Sequence, residues 1–152
     1  MGIKVTFRFT SVQERAAAAH RRTFCPLACI VLDAITMNIL ICDDSPELRE
    51  VLVVALQLQG HSVDQARTGA EALQKLDTSR FDAILLDVDM PEVSGWDIAA
   101  DIRARAELNS VRIVMFSGRA TEQDRARSLA SGADAHVAKP ATLEEIEFAL
   151  AA

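Results

Sequence analysis

The sequence predicts an α/β domain with a doubly wound, five-stranded parallel sheet and helices on both faces. Five predicted strands, most of them short apolar runs, alternate with five segments of helical periodicity, the pattern of consecutive strand–helix units. Right-handed crossovers between parallel strands distribute the helices over both faces. The predicted strands cover residues 38–42, 62–66, 82–86, 111–116 and 135–138. The predicted helices cover residues 46–59, 69–77, 95–105, 121–131 and 142 to the last residue.

The first helix is predicted from one apolar face and from signals at both ends. Asp44-x-x-Glu47 is typical of a capping box, Pro46 suits the first turn, and Gly60 indicates the end of the helix. The residues expected to face the core are Leu48, Val51, Leu52, Ala55 and Leu56.

The later helices carry weaker but similar signals. In the second helix, Ala70, Leu73 and Leu76 are expected to point inward. In the fourth, Thr121 is expected to cap the start and Gly132 to follow the end. The aromatic residues expected in the core are Phe81, Phe116 and Phe148, with Trp96 packed partly against it.

Residues 1–36 show no clear period and no site chemistry, whereas Met37 stands directly before the first strand. Two interpretations remain open. The segment is either an N-terminal extension, possibly disordered, or sequence upstream of a natural start at Met37, and we favour the second. The domain is therefore predicted to cover residues 37–152.

Composition restricts the classes of function. The formal net charge of −6 argues against direct binding of nucleic acid, and no window is long and apolar enough to span a membrane. Three cysteines do not form a disulfide framework, and Cys42 within the first strand is expected to be a buried apolar residue. We expect a cytoplasmic protein.

Charged residues follow three of the predicted strands at their carboxyl ends. Asp43 and Asp44 follow the first strand, Asp87 follows the third, and Lys139 follows the fifth. In an open α/β sheet, the carboxyl ends of the strands form the ligand crevice. Three carboxylates and an ammonium group at this edge predict a site for a divalent cation and a phosphoryl group.

Four short motifs occur in order, each at a strand end. They are Asp43-Asp44, Asp87-Val88-Asp89-Met90-Pro91 with Gly95, Ser117-Gly118 and Lys139-Pro140. With these motifs, residues 37–152 resemble the receiver domain of two-component response regulators, particularly the single-domain chemotaxis-regulator type. The resemblance implies a flavodoxin-like fold with strand order 2-1-3-4-5.

The resemblance also implies a role for each acidic residue. Asp87 would be the phosphoacceptor. Asp43 and Asp44 would hold Mg²⁺ together with Asp87 and the backbone carbonyl of Asp89. This fits the chemistry of the residues, because carboxylates can form acyl phosphates and Mg²⁺ prefers oxygen ligands.

The remaining motif residues would bind the phosphoryl group and switch the domain. Ser117 would bond the phosphoryl group, Lys139 would pair with it, and the peptide bond before Pro140 would be cis. The resemblance implies that phosphorylation draws the Ser117 hydroxyl toward the phosphoryl group. An aromatic residue of the fifth strand would then turn inward and change the face of the fourth helix, fifth strand and fifth helix. Here the aromatic position is His136, which is either part of the switch or a surface histidine.

Asp89 and Arg119 each lie two residues after a motif residue, Asp87 and Ser117. Both side chains are expected to overhang the site, where they could pair and screen the acyl phosphate from water. The alternative is two solvated charges.

The most direct functional hypothesis is a stand-alone receiver that accepts a phosphoryl group from a histidine kinase or phosphotransfer protein and signals to a downstream protein. We expect no enzymatic turnover beyond formation and hydrolysis of its own acyl phosphate. A phosphorylation-independent binding domain is the alternative, and His136 is the feature in its favour. A metal-dependent phosphatase is a third hypothesis, but no Asp-x-Asp pattern follows the first strand.

Overall fold

A computed structural model of the chain describes residues 36–152. Five strands alternate with five helices, as the sequence predicts. The strands are β1 (Asn38–Cys42), β2 (Ser62–Ala66), β3 (Ala83–Leu86), β4 (Arg112–Ser117) and β5 (Ala135–Ala138). The helices are α1 (Pro46–Leu58), α2 (Gly69–Thr78), α3 (Gly95–Arg103), α4 (Glu122–Ala130) and α5 (Leu143–Ala151).

All strand pairs are parallel, and the strand order is β2-β1-β3-β4-β5. The prediction of a doubly wound sheet is confirmed. The central strand β3 is buried over its whole length, which explains its uninterrupted run of apolar residues. Because all five strands run in one direction, their carboxyl ends share one edge of the sheet.

The core consists of two apolar layers, one on each face of the sheet. On one face, Leu52 and Leu56 of α1 and Ile146 of α5 pack against alternate strand residues such as Ile39 and Leu85. The other layer contains strand residues such as Leu40, Ile84 and Met115 with residues of α2 and α3, including Ala72, Leu76, Ile98 and Ile102.

Three residues predicted to face the core do not. Val51 and Phe148 are 65% and 77% exposed, and Ala70 is exposed as well. In each helix a neighbouring row of residues faces the sheet, so these positions turn toward solvent. The buried residues of those helices are Arg49, Leu52 and Leu56 in α1, Gly69, Ala72 and Leu76 in α2, and Ile146, Ala149 and Leu150 in α5.

Of the two helix caps predicted from the sequence, the cap of α4 is confirmed. Thr121 caps α4 and forms a capping box with Asp124. At α1 the prediction of Asp44 as the cap is wrong, since Ser45 accepts the hydrogen bond from the Leu48 amide. Gly132 follows α4 with a φ of 97°, a conformation that glycine adopts without steric cost.

Smaller departures occur at the ends of the predicted elements. Strand β4 begins and ends one residue later than predicted, and α3 ends at Arg103. A short 3₁₀ turn, Ala106–Leu108, follows α3 and was not predicted. At the amino end of the sheet, the exposed residues Ser79 and Arg80 connect α2 to β3.

The predictions for residues 1–36 lie outside the described part of the chain apart from Thr36, so they stay predictions. Within residues 36–152, no helix combines the length and the apolar character needed to cross a membrane.

Candidate functional site

Three carboxylates meet at the carboxyl edge of the sheet. Asp43 follows β1 and Asp87 follows β3, and both are buried, with 2% and 5% of their surface exposed. Asp44 is exposed at the rim. One carboxylate oxygen from each residue lies within 4.8 Å of the other two, a spacing that suits shared coordination of one cation.

The loop after β5 adds a positive charge to this cluster. The Lys139 ammonium donates hydrogen bonds to Asp43 Oδ2 at 2.6 Å and to Asp87 Oδ1 at 3.1 Å. It also lies 5.0 Å from the centre of the Phe116 ring. The peptide bond between Lys139 and Pro140 is cis, as expected.

Burial and charge shift the protonation of these groups. Burial raises the pKa of Asp87 above that of a free aspartate, and Asp43 adds to the shift by repulsion, while Lys139 opposes it. Burial disfavours the Lys139 ammonium, but its hydrogen bond to Asp43 and the charge of Asp87 prevail and raise its pKa. The cluster therefore stabilises the charged form of Lys139 and disfavours the ionised form of Asp87.

Gly95 permits close packing between α3 and the strand that carries Asp87. A Cβ atom at this position would lie 2.2 Å from the Asp87 carbonyl oxygen and 2.9 Å from Val88 Cα. Both contacts are with backbone, so a side chain would displace the loop that holds Asp87. The glycine therefore contributes to the position of the predicted phosphoacceptor.

Arg49 supports the site, and sequence reasoning missed it. Its side chain is 95% buried in α1, and it donates to the Asp43 carbonyl at 2.5 Å and to Gln65 Oε1 at 3.3 Å. The first bond fixes the peptide that joins the two acidic residues after β1. The only sequence signal was a charged residue on the apolar face of a helix, between Leu48 and Leu52.

Ser117 is completely buried and contacts Asp89 and Arg119 at the rim. Ser117 Oγ accepts a hydrogen bond from the Arg119 amide at 3.1 Å and donates to Asp89 Oδ2 at 3.4 Å. Arg119 Nε donates to Asp89 Oδ1 at 2.6 Å, so the predicted pairing of the two side chains is present in the structure. The role of the pair in screening an acyl phosphate stays a prediction.

His136 on β5 is neither a free surface side chain nor part of the acidic cluster. Its Nδ1 lies 2.8 Å from Ser128 Oγ of α4, and its Nε2 lies 2.8 Å from the Arg119 carbonyl oxygen. Trp96, which is 7% exposed, donates from Nε1 to the same Ser128 hydroxyl at 3.0 Å. The sequence predicted only partial packing for Trp96 and gave no sign of this contact.

The structure thus brings the predicted residues into two groups. Asp43, Asp44, Asp87 and Lys139 form the centre of the site. The second group, at the rim and beside α4, consists of Asp89, Ser117, Arg119 and His136. A carboxylate nucleophile next to acidic oxygens and a fixed ammonium can accept a phosphoryl group.

Comparison with known proteins identifies the family. Residues 39–151 match the profile of the response regulator receiver domain. The chain belongs to the response regulator receiver family. This receiver is 36% identical over 110 residues to the response regulator MprA of Mycobacterium avium, an alignment that covers 72% of the chain and 47% of MprA. It is 33% identical over 103 residues to a gliding motility regulatory protein of Myxococcus xanthus, covering 68% of the chain and 13% of that protein.

Solved structures agree with the family and the fold. The receiver superimposes on the chemotaxis protein CheY4 of Vibrio cholerae with a TM-score of 0.72 and 30% identity, covering 76% of this chain and 96% of CheY4. The response regulator TrrA of Thermotoga maritima, solved in complex with Mg²⁺-BeF, gives a TM-score of 0.65 and 32% identity, covering 73% and 93% of the two chains. The chain spans about half the length of MprA, so activities of whole regulators are not transferred to it.

Proposed function

We propose that this receiver accepts a phosphoryl group on Asp87 in a Mg²⁺-dependent reaction and so changes the surface formed by α4, β5 and α5. The observation that carries the proposal is the arrangement of three carboxylate oxygens within 4.8 Å of one another, with the Lys139 ammonium bound to two of the carboxylates.

The donor set fits Mg²⁺. Asp43, Asp44 and Asp87 offer oxygen ligands only, and Asp44 at the exposed rim leaves room for the water molecules that Mg²⁺ retains. The backbone carbonyl of Asp89 is the proposed fourth protein ligand. Bound at these residues, the cation would offset the repulsion between the carboxylates and an incoming phosphoryl donor.

The residues of the chain then have distinct roles. A carboxylate oxygen of Asp87 attacks phosphorus, and the bond from phosphorus to the donor breaks, with its electron pair leaving on the donor. Lys139 balances negative charge on the transferred group, and the Ser117 hydroxyl donates a hydrogen bond to it. Water later attacks phosphorus, the bond from phosphorus to the Asp87 oxygen breaks, and inorganic phosphate leaves with the carboxylate restored.

The donor in this proposal is a histidine kinase or a phosphotransfer protein, and the receiver of the signal is a protein partner. In this proposal the receiver acts in the cytoplasm and turns over no substrate other than its own acyl phosphate. Its net charge of −6 disfavours a direct contact with nucleic acid.

Intact mass spectrometry after incubation with Mg²⁺ and acetyl phosphate tests the proposal. One added phosphoryl group is expected, and it should disappear with EDTA and in Asp87→Asn. Asp101→Asn, which changes an exposed aspartate of α3, is the matched control and should still be modified. If no phosphoryl group is added at any Mg²⁺ concentration, the phosphorylation-independent binding domain becomes the better hypothesis.

A further inference from the structure

Arg119 contacts the predicted phosphoryl site and β5 at the same time. Its amide donates to Ser117 Oγ at 3.1 Å, and its carbonyl oxygen lies 2.8 Å from His136 Nε2. Both contacts use the backbone of one residue. A displacement of Ser117 is therefore transmitted to the histidine through one residue.

The path continues from His136 into the helix layer. Ser128 is completely buried, and its hydroxyl lies 2.8 Å from His136 Nδ1 and 3.0 Å from Trp96 Nε1. The indole is nearly buried and has the Arg127 guanidinium 3.8 Å from its ring centre. Strand β5, helix α4 and helix α3 are thus joined by polar contacts.

The hydrogen-bonding capacity of each group limits which atoms along this path donate and which accept. A carbonyl oxygen only accepts, so His136 Nε2 carries the proton and, in the neutral ring, Nδ1 accepts. The Ser128 hydroxyl oxygen accepts from the indole N–H of Trp96, which only donates. Its single O–H is within hydrogen-bond reach of both Nδ1 at 2.8 Å and the Asp124 carbonyl oxygen at 2.9 Å. Every donor along the path therefore has an acceptor.

We infer that Ser128 is a positioning residue of the phosphorylation switch, because it holds His136 against the Arg119 carbonyl and so favours the unphosphorylated arrangement. The inference rests on the proposed function. When the Ser117 hydroxyl turns to a phosphoryl oxygen on Asp87, it gives up its bond to Asp89. The Arg119 amide follows it, and the carbonyl of the same residue moves away from His136.

The histidine N–H then loses its carbonyl acceptor, and the ring is released from the Arg119 backbone. A turn of the ring toward another partner or toward water would disturb Ser128 and, through it, Trp96. His136 also lines a groove of about 260 Å³ between α4 and α5, together with Arg125 and Glu145. The same motion would thus alter the surface that the proposed function assigns to signalling.

Titration with beryllofluoride at saturating Mg²⁺ tests the inference, since this anion mimics a phosphoryl group on an aspartate. Occupancy is followed by ¹⁹F NMR of the bound fluoride, and the helix layer is followed by the emission of Trp96, the single tryptophan of the chain. Ser128→Ala should lower the half-saturating concentration about two- to tenfold, the effect of one hydrogen bond lost from the resting state. In the unaltered chain, Trp96 emission should change in step with occupancy.

Ser131→Ala is the matched control, because Ser131 directly follows α4 and its hydroxyl donates to the Ser128 backbone carbonyl, away from His136 and Trp96. It should leave the half-saturating concentration within twofold of the original. His136→Phe removes both bonds of the ring and serves if Ser128→Ala folds poorly. Its effect should have the same sign, and the double variant should show less than the sum of the two effects.

The outcomes separate the two proposals. The positioning role would be overturned if the half-saturating concentration is unchanged in both Ser128→Ala and His136→Phe. It would also be overturned if Trp96 emission does not change at full occupancy. Neither result would contradict phosphorylation of Asp87. Failure of the unaltered chain to bind beryllofluoride and to accept a phosphoryl group would overturn the proposed function, and the inference would fall with it.

Discussion

Lys139 and Asp43 are 96 residues apart in the chain, yet the ammonium of one lies 2.6 Å from a carboxylate oxygen of the other. The same ammonium reaches Asp87 at 3.1 Å. One positive charge is therefore shared by two buried carboxylates, with Asp44 close by. The carboxylates outnumber the ammonium group, so the site has a net negative charge that favours binding of a divalent cation.

Lys139→Met should destabilise the chain in the absence of Mg²⁺. Two buried carboxylates would lose their counter-charge, a change that costs ~3–5 kcal/mol at fully buried sites. The Lys139 side chain is 22% exposed, so we expect a smaller loss, about 2–3 kcal/mol, in the free energy of unfolding measured with urea.

Added Mg²⁺ should restore much of that loss in Lys139→Met, since the cation supplies the missing positive charge. Lys75→Met is a suitable control, because Lys75 also binds two carboxylates, Asp64 and Glu71, but far more openly. Equal stability of the two variants without Mg²⁺ would contradict this account of Lys139.

The affinity for Mg²⁺ should fall as the pH is lowered, and it should begin to fall above the ordinary pKa of aspartate, about 3.9. Because burial raises the pKa of Asp87, this ligand takes up a proton earlier than a free carboxylate would. Isothermal titration calorimetry across pH 4.5–7.5, in about ten steps, would measure the trend. An affinity that stays constant across this range would contradict the prediction.

The raised pKa values of Asp87 and Lys139 also make the stability of the metal-free fold depend on pH. The raised pKa of Asp87 means that its ionised form costs stability at neutral pH, and this cost is relieved as the pH falls through that pKa. The raised pKa of Lys139 contributes stability below the ordinary lysine value, about 10.4, and that contribution is lost as the pH rises through the folded-state pKa.

Arg119→Ala should shorten the lifetime of the acyl phosphate about two- to tenfold, equivalent to a modest change in barrier. The substitution removes the side chain paired with Asp89 and opens the rim to water, but it retains the backbone contacts to Ser117 and His136. Intact mass spectrometry measures the lifetime of the acyl phosphate from the rate at which the mass of the phosphoryl group is lost. The effect of the substitution on stability should be small, because both partners are about half exposed.

Arg105→Ala is the comparison for that experiment, since it breaks a similarly exposed pair with Asp77 in a different part of the structure. Its acyl phosphate should decay at the unaltered rate. If Arg119→Ala also decays at that rate, the pair does not screen the site.

Arg49→Met should lower the free energy of unfolding by about 2–3 kcal/mol, because it removes charge-assisted hydrogen bonds from a buried position. It should also weaken Mg²⁺ binding, since the Asp43 peptide would lose its support. Arg49→Lys should recover part of both losses. Full retention of Mg²⁺ affinity in a destabilised Arg49→Met would limit Arg49 to a role in folding.

Much of the fold could be predicted because the strands carry a strong local signal. Buried parallel strands are continuous apolar runs, as in Ala83–Leu86, and each is bounded by residues with clear cap or turn preferences. The position of the central site could be predicted from the strands, because the residues that follow parallel strands lie at the same edge of the sheet.

The errors arose where local preference does not decide the outcome. Asp44 and Ser45 are both good cap residues one position apart, and only the path of the loop selects Ser45. Val51 and Phe148 are apolar residues at the margin of a helix face, where a small rotation decides whether they touch the sheet.

Contacts between distant residues left no trace in the local pattern. Trp96 and Ser128 are 32 residues apart, and Arg49 bonds to a backbone carbonyl that no sequence pattern identifies. Such pairs become visible only once the helices are packed.

The crowding of the charged motif residues at the carboxyl edge leaves the amino end of the sheet available for engineering. Ser79 and Arg80 form a short exposed connection there, outside both apolar layers and remote from Asp87. Exposed connections of this kind accept inserted domains and new chain ends most readily. A fluorescent protein placed between these two residues would give a reporter whose receiver retains an intact site.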